Sequence, residues 1–186
     1  MRIVGGQFRG RPLVGPGDDR TRPTSDRVRE AIFNILAHGI AEFELDGAKV
    51  LDLFAGTGAL GLEALSRGAA FCLFVEEDAE ARGLIRRNVE SFGLTGVTKI
   101  FRRDATDLGD AGNRGDAGLV FLDPPYGRGL AERALASASA GGWLAPDAVA
   151  VIEERKGVSV TLPPTFVLID RRTWGDTEVA FAKHRT

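Results

Sequence analysis

The sequence predicts an α/β protein, with a mostly parallel seven-stranded sheet, helices on both faces and a C-terminal antiparallel hairpin. Three observations support this prediction. From Lys49 onward, short apolar runs alternate with helical patterns, which is typical of βαβ units. The first apolar run passes directly into a glycine turn and a helical pattern. The last two runs, residues 166–172 and 177–183, are separated only by Trp174-Gly175-Asp176, which indicates a hairpin.

Each element follows from local periodicity. Residues 25–37 place apolar side chains on one helical face, with Ser25 or Thr24 as the N-cap. Further helices are predicted at residues 60–65, 79–92 and 130–140. Strands are predicted at residues 50–53, 71–75, 98–101, 119–122, 148–153, 166–172 and 177–183. We expect residues 1–45 to form a basic N-terminal extension and residues 46–186 to form the sheet domain.

Composition limits the class of protein. The chain has 186 residues, 44% hydrophobic and 27% charged, with a net charge of −2, which suits one globular domain. It shows neither an apolar stretch long enough to span a membrane nor a signal peptide, so we expect a cytoplasmic protein. The single cysteine, Cys72, is expected to be buried. His38 and His184 lie apart and predict no metal site; each is expected at the surface or a helix end.

The stretch Asp123-Pro124-Pro125-Tyr126 follows the apolar run 119–122, where a buried strand should end. Asp123 can accept a hydrogen bond from an N–H group, the two prolines stiffen the backbone so that a carbonyl can point outward, and Tyr126 offers a ring to a nucleobase. This pattern favours chemistry on an exocyclic amino group. The alternative is a rigid turn after a core strand.

A second motif lies at residues 50–61, where an apolar strand runs into a glycine loop and a helix. Gly56, Gly58 and Gly61 match G-x-G-x-x-G, which lets backbone and helix N–H groups approach a ligand. Glu76 follows the next strand, twenty residues after Gly56, where its carboxylate could bind the ribose of a nicotinamide dinucleotide or of an adenosine cofactor. The glycines alone leave both possibilities open.

Four acidic residues fall at the carboxyl ends of successive predicted strands: Asp52, Glu76, Asp104 and Asp123. In an open α/β sheet these ends line the ligand crevice, although any one of the acids could simply cap a helix or lie in a solvated turn. Asp52 lies inside its strand, where a charge is costly to bury unless N–H donors or positive charge meet it. S-adenosylmethionine carries two positive groups, an ammonium and a sulfonium.

These motifs, in this order, resemble class I S-adenosylmethionine-dependent N-methyltransferases. The sequences Met1-Arg2-Ile3-Val4-Gly5-Gly6-Gln7-Phe8-Arg9-Gly10-Arg11 and Arg22-Pro23-Thr24-Ser25 onward to Leu36 further resemble the bacterial 16S rRNA guanine-N2 methyltransferases of the RsmD type. The resemblance spans essentially the whole chain. It implies a Rossmann-like class I methyltransferase fold, which differs from a nicotinamide-binding Rossmann domain by an antiparallel last strand.

The resemblance also implies roles for particular residues. S-adenosylmethionine would be bound by Asp52, Phe54, Ala55, Gly56, Thr57, Gly58, Glu76, Asp104 and Ala105. Gly56 to Gly58 would hold its methionine part, Glu76 its ribose, and Asp104 with Ala105 its adenine. Asp123, Pro124 and Tyr126 would form the catalytic motif, the first two holding the guanine N2 amine and Tyr126 stacking on the base, with Pro125 also facing the RNA.

Charge distribution adds a prediction about the substrate. Residues 1–36 carry seven arginines against four acids, although the whole chain is slightly acidic. A local basic arm including Arg9, Arg11 and Arg22 could follow RNA phosphates. The alternative is that some arginines pair with nearby acids, above all Arg27 and Arg29.

We therefore expect a monomer whose partner is 16S rRNA, either free or within a small-subunit assembly particle. Three other functions stay open from the sequence: N6-adenine methylation of DNA, an NAD-dependent oxidoreductase, and a noncatalytic RNA-binding protein on a methyltransferase scaffold.

Overall fold

Seven strands form one mixed sheet in a computed structural model that describes residues 1–16 and 24–185. In chain order the strands are β1 (Lys49–Leu53), β2 (Phe71–Val75), β3 (Thr98–Phe101), β4 (Ala117–Leu122), β5 (Leu144–Arg155), β6 (Phe166–Trp174) and β7 (Thr177–His184). Their order across the sheet is β3-β2-β1-β4-β5-β7-β6. Strands β1 to β5 are parallel, whereas β7 is antiparallel to both β5 and β6. The predicted fold class is confirmed.

The topology places a crevice at the end of β1. Asp52 is in register with Phe74 of β2 on one side and with Phe121 of β4 on the other. The chain runs outward from β1 through β2 to β3, and then returns to the opposite side with β4 and β5. Such a switch point, where successive connections diverge, is where open α/β sheets bind ligands.

In the part of the chain that the structure describes, four α-helices cover the two faces of the sheet: α1 (Asp26–His38), α2 (Ala59–Ser66), α3 (Ala79–Ser91) and α4 (Leu130–Ala140). Helices α1 to α3 contribute to one apolar core with Val50, Phe74 and Phe121, and α4 packs with Leu51 and Val120 on the other face. Residues one apart in a strand point to opposite faces, which explains the two cores. The predicted strands 71–75 and 98–101 and the helix 130–140 agree with the structure.

Strand β5 is longer than the sequence indicated. It begins at Leu144, whereas the sequence predicts a start at residue 148. The apolar pattern misses the first residues because the strand is irregular at Pro146 and Asp147. These two residues are exposed, Asp147 has a φ of 62°, and the register with β4 shifts before Leu119. An exposed irregularity interrupts the apolar pattern by which a buried strand is recognised.

The N-terminal segment packs against the sheet domain. Ile3 and Leu13 join the core that α1 forms with Ile32 and Phe33. Ser25 is the N-cap of α1, and its side chain accepts a hydrogen bond from the Val28 N–H at 3.2 Å. Hydrophobic burial of this kind fixes residues 1–16 and α1 on one face of the sheet.

Cys72 is buried, as predicted, whereas the expectation for His184 is wrong. His184 ends β7 in a buried position, with Nε2 3.1 Å from Ser139 Oγ and Nδ1 3.2 Å from the Ala145 carbonyl oxygen. It is a hydrogen-bonded core side chain, while His38 is exposed at the end of α1. Of the helices in residues 1–16 and 24–185, none has the length and apolar character to cross a membrane.

Candidate active site

The loop after β1 has a backbone shaped for close approach by a ligand. Phe54, Gly56 and Gly58 have φ angles of 56°, 59° and 80°. A Cβ atom added to Gly56 would meet only the Phe54 carbonyl oxygen, at 4.0 Å, so this side of the loop is open. Phe54 holds a left-handed conformation despite its side chain, which costs about 1–3 kcal/mol and is typical of functional loops.

Gly61 has a different role from Gly56, because it lets α2 pack closely on the sheet. A Cβ atom there would lie 2.5 Å from Phe74 Cε1 and 2.6 Å from Cys72 Sγ. Its N–H donates to Asp52 Oδ2 at 3.1 Å. Asp52 is only 2% exposed, and burial raises the pKa of its carboxyl well above the ordinary value. Asp52 thus meets the N–H donor that a buried acid requires.

Glu76 fixes the glycine loop from the end of β2. Its Oε1 accepts from the Gly56 N–H at 2.8 Å, and its Oε2 accepts from the Asp78 N–H at 3.0 Å. A carboxylate oxygen has two lone pairs, so each oxygen can still accept from a hydroxyl group. The side chain is therefore already oriented at the mouth of the crevice.

Asp104 lies beyond β3 in an exposed turn. Its Oδ1 accepts from both the N–H and the hydroxyl of Thr106, at 2.8 Å and 2.7 Å, and these bonds lower the pKa of the Asp104 carboxyl. Ala105 beside it is buried. Asp104 is thus held as an ionised acceptor at the same edge of the sheet as Glu76.

Asp123 directly follows β4 and faces a second acid. The Thr24 hydroxyl lies 2.7 Å from Glu153 Oε2, to which it donates, and 3.4 Å from Asp123 Oδ2. The pKa of the Asp123 carboxyl is raised well above its ordinary value, first by burial and then by the negative charges of Glu153 and Asp52. Burial also raises the pKa of Glu153.

The last two residues of the motif are exposed. Pro124 is buried, whereas Pro125 is exposed and Tyr126 is 40% exposed. Burial, together with the charges of Glu153 and Asp123, raises the pKa of the Tyr126 hydroxyl. An aromatic ring with an open face next to a carboxyl group can stack on a planar base.

The N-terminal arginines fall into different environments. Arg9 is exposed. Arg11 is also exposed, but its guanidinium lies 4.5 Å from the Phe92 ring centroid and donates to the Ser91 carbonyl oxygen at 2.7 Å. Arg22 lies outside the described residues.

Arg29 does not belong to an exposed basic arm. It is fully buried, with Nε 3.1 Å from Glu63 Oε1 and Nη2 2.7 Å from Asp26 Oδ1. It pairs with acids, as the alternative interpretation has it, although within the core rather than on a solvated face. Arg27, by contrast, is exposed.

Sequence reasoning missed several residues that shape the site. Glu153 and Glu154 lie just before Arg155, the last residue of β5, and Glu154 Oε1 accepts from the Gly127 N–H at 3.3 Å. An acid at the carboxyl end of a strand is the signal that identified Asp123, so Glu153 could have been found in the same way. Thr24 and Asn88 could not, because their partners are distant in sequence: Asn88 contacts the backbone of both Val14 and Thr57.

The antiparallel β7 between β5 and β6, combined with the glycine loop and the acids at the switch point, defines the class I methyltransferase fold. The family model described as Conserved hypothetical protein 95 matches residues 1–183. The chain belongs to this family, and its identity to a ribosomal RNA small subunit methyltransferase D confirms the RsmD-type resemblance of the N-terminal motifs.

Relatives and solved structures agree with this assignment. The chain is 36% identical to the "Putative rRNA methyltransferase YlbH" of Bacillus subtilis, with 100% of both chains covered. It is 40% identical to the "Ribosomal RNA small subunit methyltransferase D" of Escherichia coli over 82% of this chain and 74% of the relative. The solved "Putative methyltransferase yhhF" of Escherichia coli matches with a TM-score of 0.84 and 33% identity, covering 100% of this chain and 98% of that one.

Proposed function

We propose that this chain transfers a methyl group from S-adenosylmethionine to the N2 amine of a guanine in 16S rRNA. The observation that carries the proposal is the placement of Asp123-Pro124-Pro125-Tyr126 next to the glycine loop at the switch point of the sheet. The relatives in Bacillus subtilis and Escherichia coli are named as rRNA methyltransferases, which supports an rRNA substrate.

The hydrogen-bond acceptors around the crevice suit an adenosine cofactor with a positive charge. The open side of Gly56 leaves room for the methionine part, and Glu76 offers both carboxylate oxygens to a ribose. Asp104 is an ionised acceptor for the adenine amino group, and the carboxyl groups of Asp52 and Asp123 lie on neighbouring strands at the crevice. When bound there, S-adenosylmethionine supplies an electrophilic methyl group on a positively charged sulfur.

Asp123 and the Pro124 carbonyl would hold the guanine amine. The lone pair of this nitrogen is delocalised into the ring, so the amine is a poor nucleophile. Alignment of reacting atoms can supply about 7–11 kcal/mol in favourable cases, and acceptors on the amine hydrogens favour the pyramidal nitrogen that forms in the transition state. The stiff Pro124-Pro125 backbone keeps the acceptors in place.

Tyr126 would hold the base once it leaves its stack. Extrusion of a base costs a few kcal/mol, and stacking on an aromatic ring returns about 1–3 kcal/mol. The 40% exposure of Tyr126 leaves a face available for this contact.

RNA binding beyond the active site falls to the N-terminal extension. Arg9 presents its guanidinium to solvent, and Arg11 lies on the same segment, residues 1–16. We assign the phosphate contacts to these two residues and to Arg22. We further propose that the protein acts in the cytoplasm as a monomer, on 16S rRNA that is either free or within a small-subunit assembly particle.

The other candidate functions are less well supported. An NAD-dependent oxidoreductase accounts for Gly56 and Glu76 but leaves Asp123-Pro124-Pro125-Tyr126 without a use, and an all-parallel dinucleotide-binding sheet lacks the antiparallel β7. An N6-adenine DNA methyltransferase would use the same motif. The rRNA methyltransferase names of the relatives favour RNA over DNA.

The proposal is tested by methyl transfer from labelled S-adenosylmethionine to unmodified small-subunit particles, free 16S rRNA and duplex DNA. We expect label in the ribosomal substrates. Asp123→Ala should lose transfer and retain cofactor binding, measured by calorimetry. Label in duplex DNA alone, or tighter binding of a nicotinamide dinucleotide than of S-adenosylmethionine, would contradict the proposed function.

A further inference from the structure

A pair of acids lies behind the substrate motif, of which Glu153 is buried and Asp123 is half-buried. Leu122 of β4 is in register with Ile152 of the neighbouring β5, so the residues that follow them, Asp123 and Glu153, lie side by side on adjacent strands. The Thr24 hydroxyl donates to Glu153 and lies near Asp123. Two carboxyl groups placed side by side in this way do not both ionise readily, and a proton on one of them allows it to donate a hydrogen bond to the other.

We propose that Asp123 and Glu153 share one proton in the resting protein, and that the proton lost by the substrate amine during methyl transfer becomes this shared proton. Glu153 thereby acts as a positioning residue, because it sets the basicity of Asp123 without touching the substrate. The inference rests on the proposed function, since it requires an amine substrate at Asp123.

The other groups around Asp123 have assigned effects. Asp52 on β1 adds a negative charge that favours protonation of Asp123. The Thr24 hydroxyl opposes protonation of whichever acid receives its one hydrogen, which is Glu153 at 2.7 Å or, with the hydroxyl rotated, Asp123 at 3.4 Å. Arg29 of α1 reaches this region only through the Thr24 carbonyl oxygen, to which its Nη1 donates at 3.3 Å.

Two nearby groups are turned elsewhere. Glu154 accepts from the backbone N–H groups of Gly127 and Arg155, on the other side of β5. The Tyr126 hydroxyl is close to Thr177.

The chemical step transfers one methyl group to the amine and one proton to the carboxyl pair. The pair first releases its shared proton to solvent, so that ionised Asp123 can accept a hydrogen bond from the substrate amine. The nitrogen then forms a bond to the methyl carbon while the sulfur–methyl bond breaks and its electron pair returns to sulfur. The extra proton on nitrogen moves to Asp123, which donates it in a hydrogen bond to Glu153. A pair with a raised affinity for protons makes this last transfer favourable.

Rate profiles against pH separate this role from a merely structural one. In the wild-type protein kcat/KM should rise with pH as the pair loses its shared proton. Glu153→Gln removes the neighbouring charge, so this rise should move to lower pH, and kcat should fall at least about tenfold because Asp123 becomes a weaker base. Thr24→Val should move the rise to higher pH, and Thr24→Ser should restore the wild-type profile.

The shared proton can also be observed without catalysis. Titration of carboxyl-labelled aspartate and glutamate by NMR, in the free protein, should show Asp123 losing its proton at lower pH in Glu153→Gln than in the wild type. Glu154→Gln is the matched control and should leave the Asp123 titration unchanged.

The same Asp123 titration in the wild type and Glu153→Gln would overturn the inference even if methyl transfer to rRNA is seen. Conversely, a wild-type protein that shows the shared proton but transfers no methyl group to any amine would contradict the proposed function. The two failures are therefore distinguishable.

Discussion

The side-chain amide of Asn88 donates a hydrogen bond to the carbonyl oxygen of Thr57 at 3.1 Å, so that α3 fixes the backbone of the glycine loop. The same side chain accepts from the Val14 N–H at 2.8 Å and donates to the Val14 carbonyl oxygen at 3.0 Å. One buried residue thus connects the N-terminal segment to the proposed cofactor loop.

Asn88→Ala should weaken both cofactor binding and the fold. It leaves the Val14 N–H and two carbonyl groups without their partner, and each of these part-buried groups that water does not reach costs up to about 1–3 kcal/mol. We expect a lower melting temperature and weaker S-adenosylhomocysteine binding by calorimetry. Asn34→Ala, on the exposed face of α1, is the control and should change neither. Wild-type affinity of Asn88→Ala for S-adenosylhomocysteine would show that this contact does not position the glycine loop for cofactor binding.

Arg29→Ala should destabilise the protein strongly. Glu63 would lose its buried partner, although Arg67 still contacts it at 2.8 Å, and breaking a buried ion pair costs about 3–5 kcal/mol. Arg27→Ala removes an exposed arginine from the same helix and should change the free energy of unfolding by no more than about 0.5 kcal/mol. Urea denaturation measures both; equal effects would contradict a structural role for Arg29.

Tyr126 should act through its ring. Tyr126→Ala is expected to lose about 1–3 kcal/mol of base stacking, and so to lower kcat/KM for the ribosomal substrate, while Tyr126→Phe keeps most activity. Steady-state kinetics on small-subunit particles distinguish the two variants. An equal loss in both would assign the role to the hydroxyl instead.

Asp123→Asn should stabilise the protein while removing activity. The pKa values of Asp123 and Glu153 are raised in the folded state, so the folded state binds more protons than the unfolded state, and stability falls as pH rises through the folded-state pKa. The amide cannot ionise and escapes this loss. The gain in unfolding free energy over wild type should be larger at mildly alkaline than at mildly acidic pH. A gain that shrinks as pH rises would contradict these pKa directions.

Arg9→Ala should weaken RNA binding without changing cofactor affinity, and should reduce the salt dependence of binding by about one unit of slope. Arg9 is the cleaner test than Arg11, because Arg11 also packs on Phe92 and its loss would disturb the segment. Lys99→Ala, an exposed change on β3, is the control. Filter binding of 16S rRNA across salt concentrations gives the slope. An unchanged slope in Arg9→Ala would contradict a role of the N-terminal arm in RNA binding.

The fold could be read from the sequence because its elements are short and strongly patterned. Strand β2 and helix α4 have the predicted limits, since apolar runs and Gly141-Gly142 mark them locally. The sequence does not predict the first four residues of β5, because exposed Pro146 and Asp147 interrupt the apolar pattern. Local pattern identifies elements and fails where an irregularity interrupts it.

The same reasoning predicts only part of the candidate site. The sequence motifs identify Asp123 and Glu76 as site residues, because acids at strand ends converge in any open parallel sheet. The contact between Thr24 and Glu153 joins residues 129 apart in sequence, and no local pattern encodes it. Likewise, the buried ion pair of Arg29 looked like surface charge until the fold placed Glu63 beside it.

The central claim is that this chain methylates the N2 amine of guanine in small-subunit rRNA. The most direct test is mass analysis of nucleosides from unmodified small-subunit particles after incubation with the protein and S-adenosylmethionine. We predict that N2-methylguanosine is formed with the wild-type protein and is lost with Asp123→Ala. A different methylated nucleoside as the only product would contradict the account.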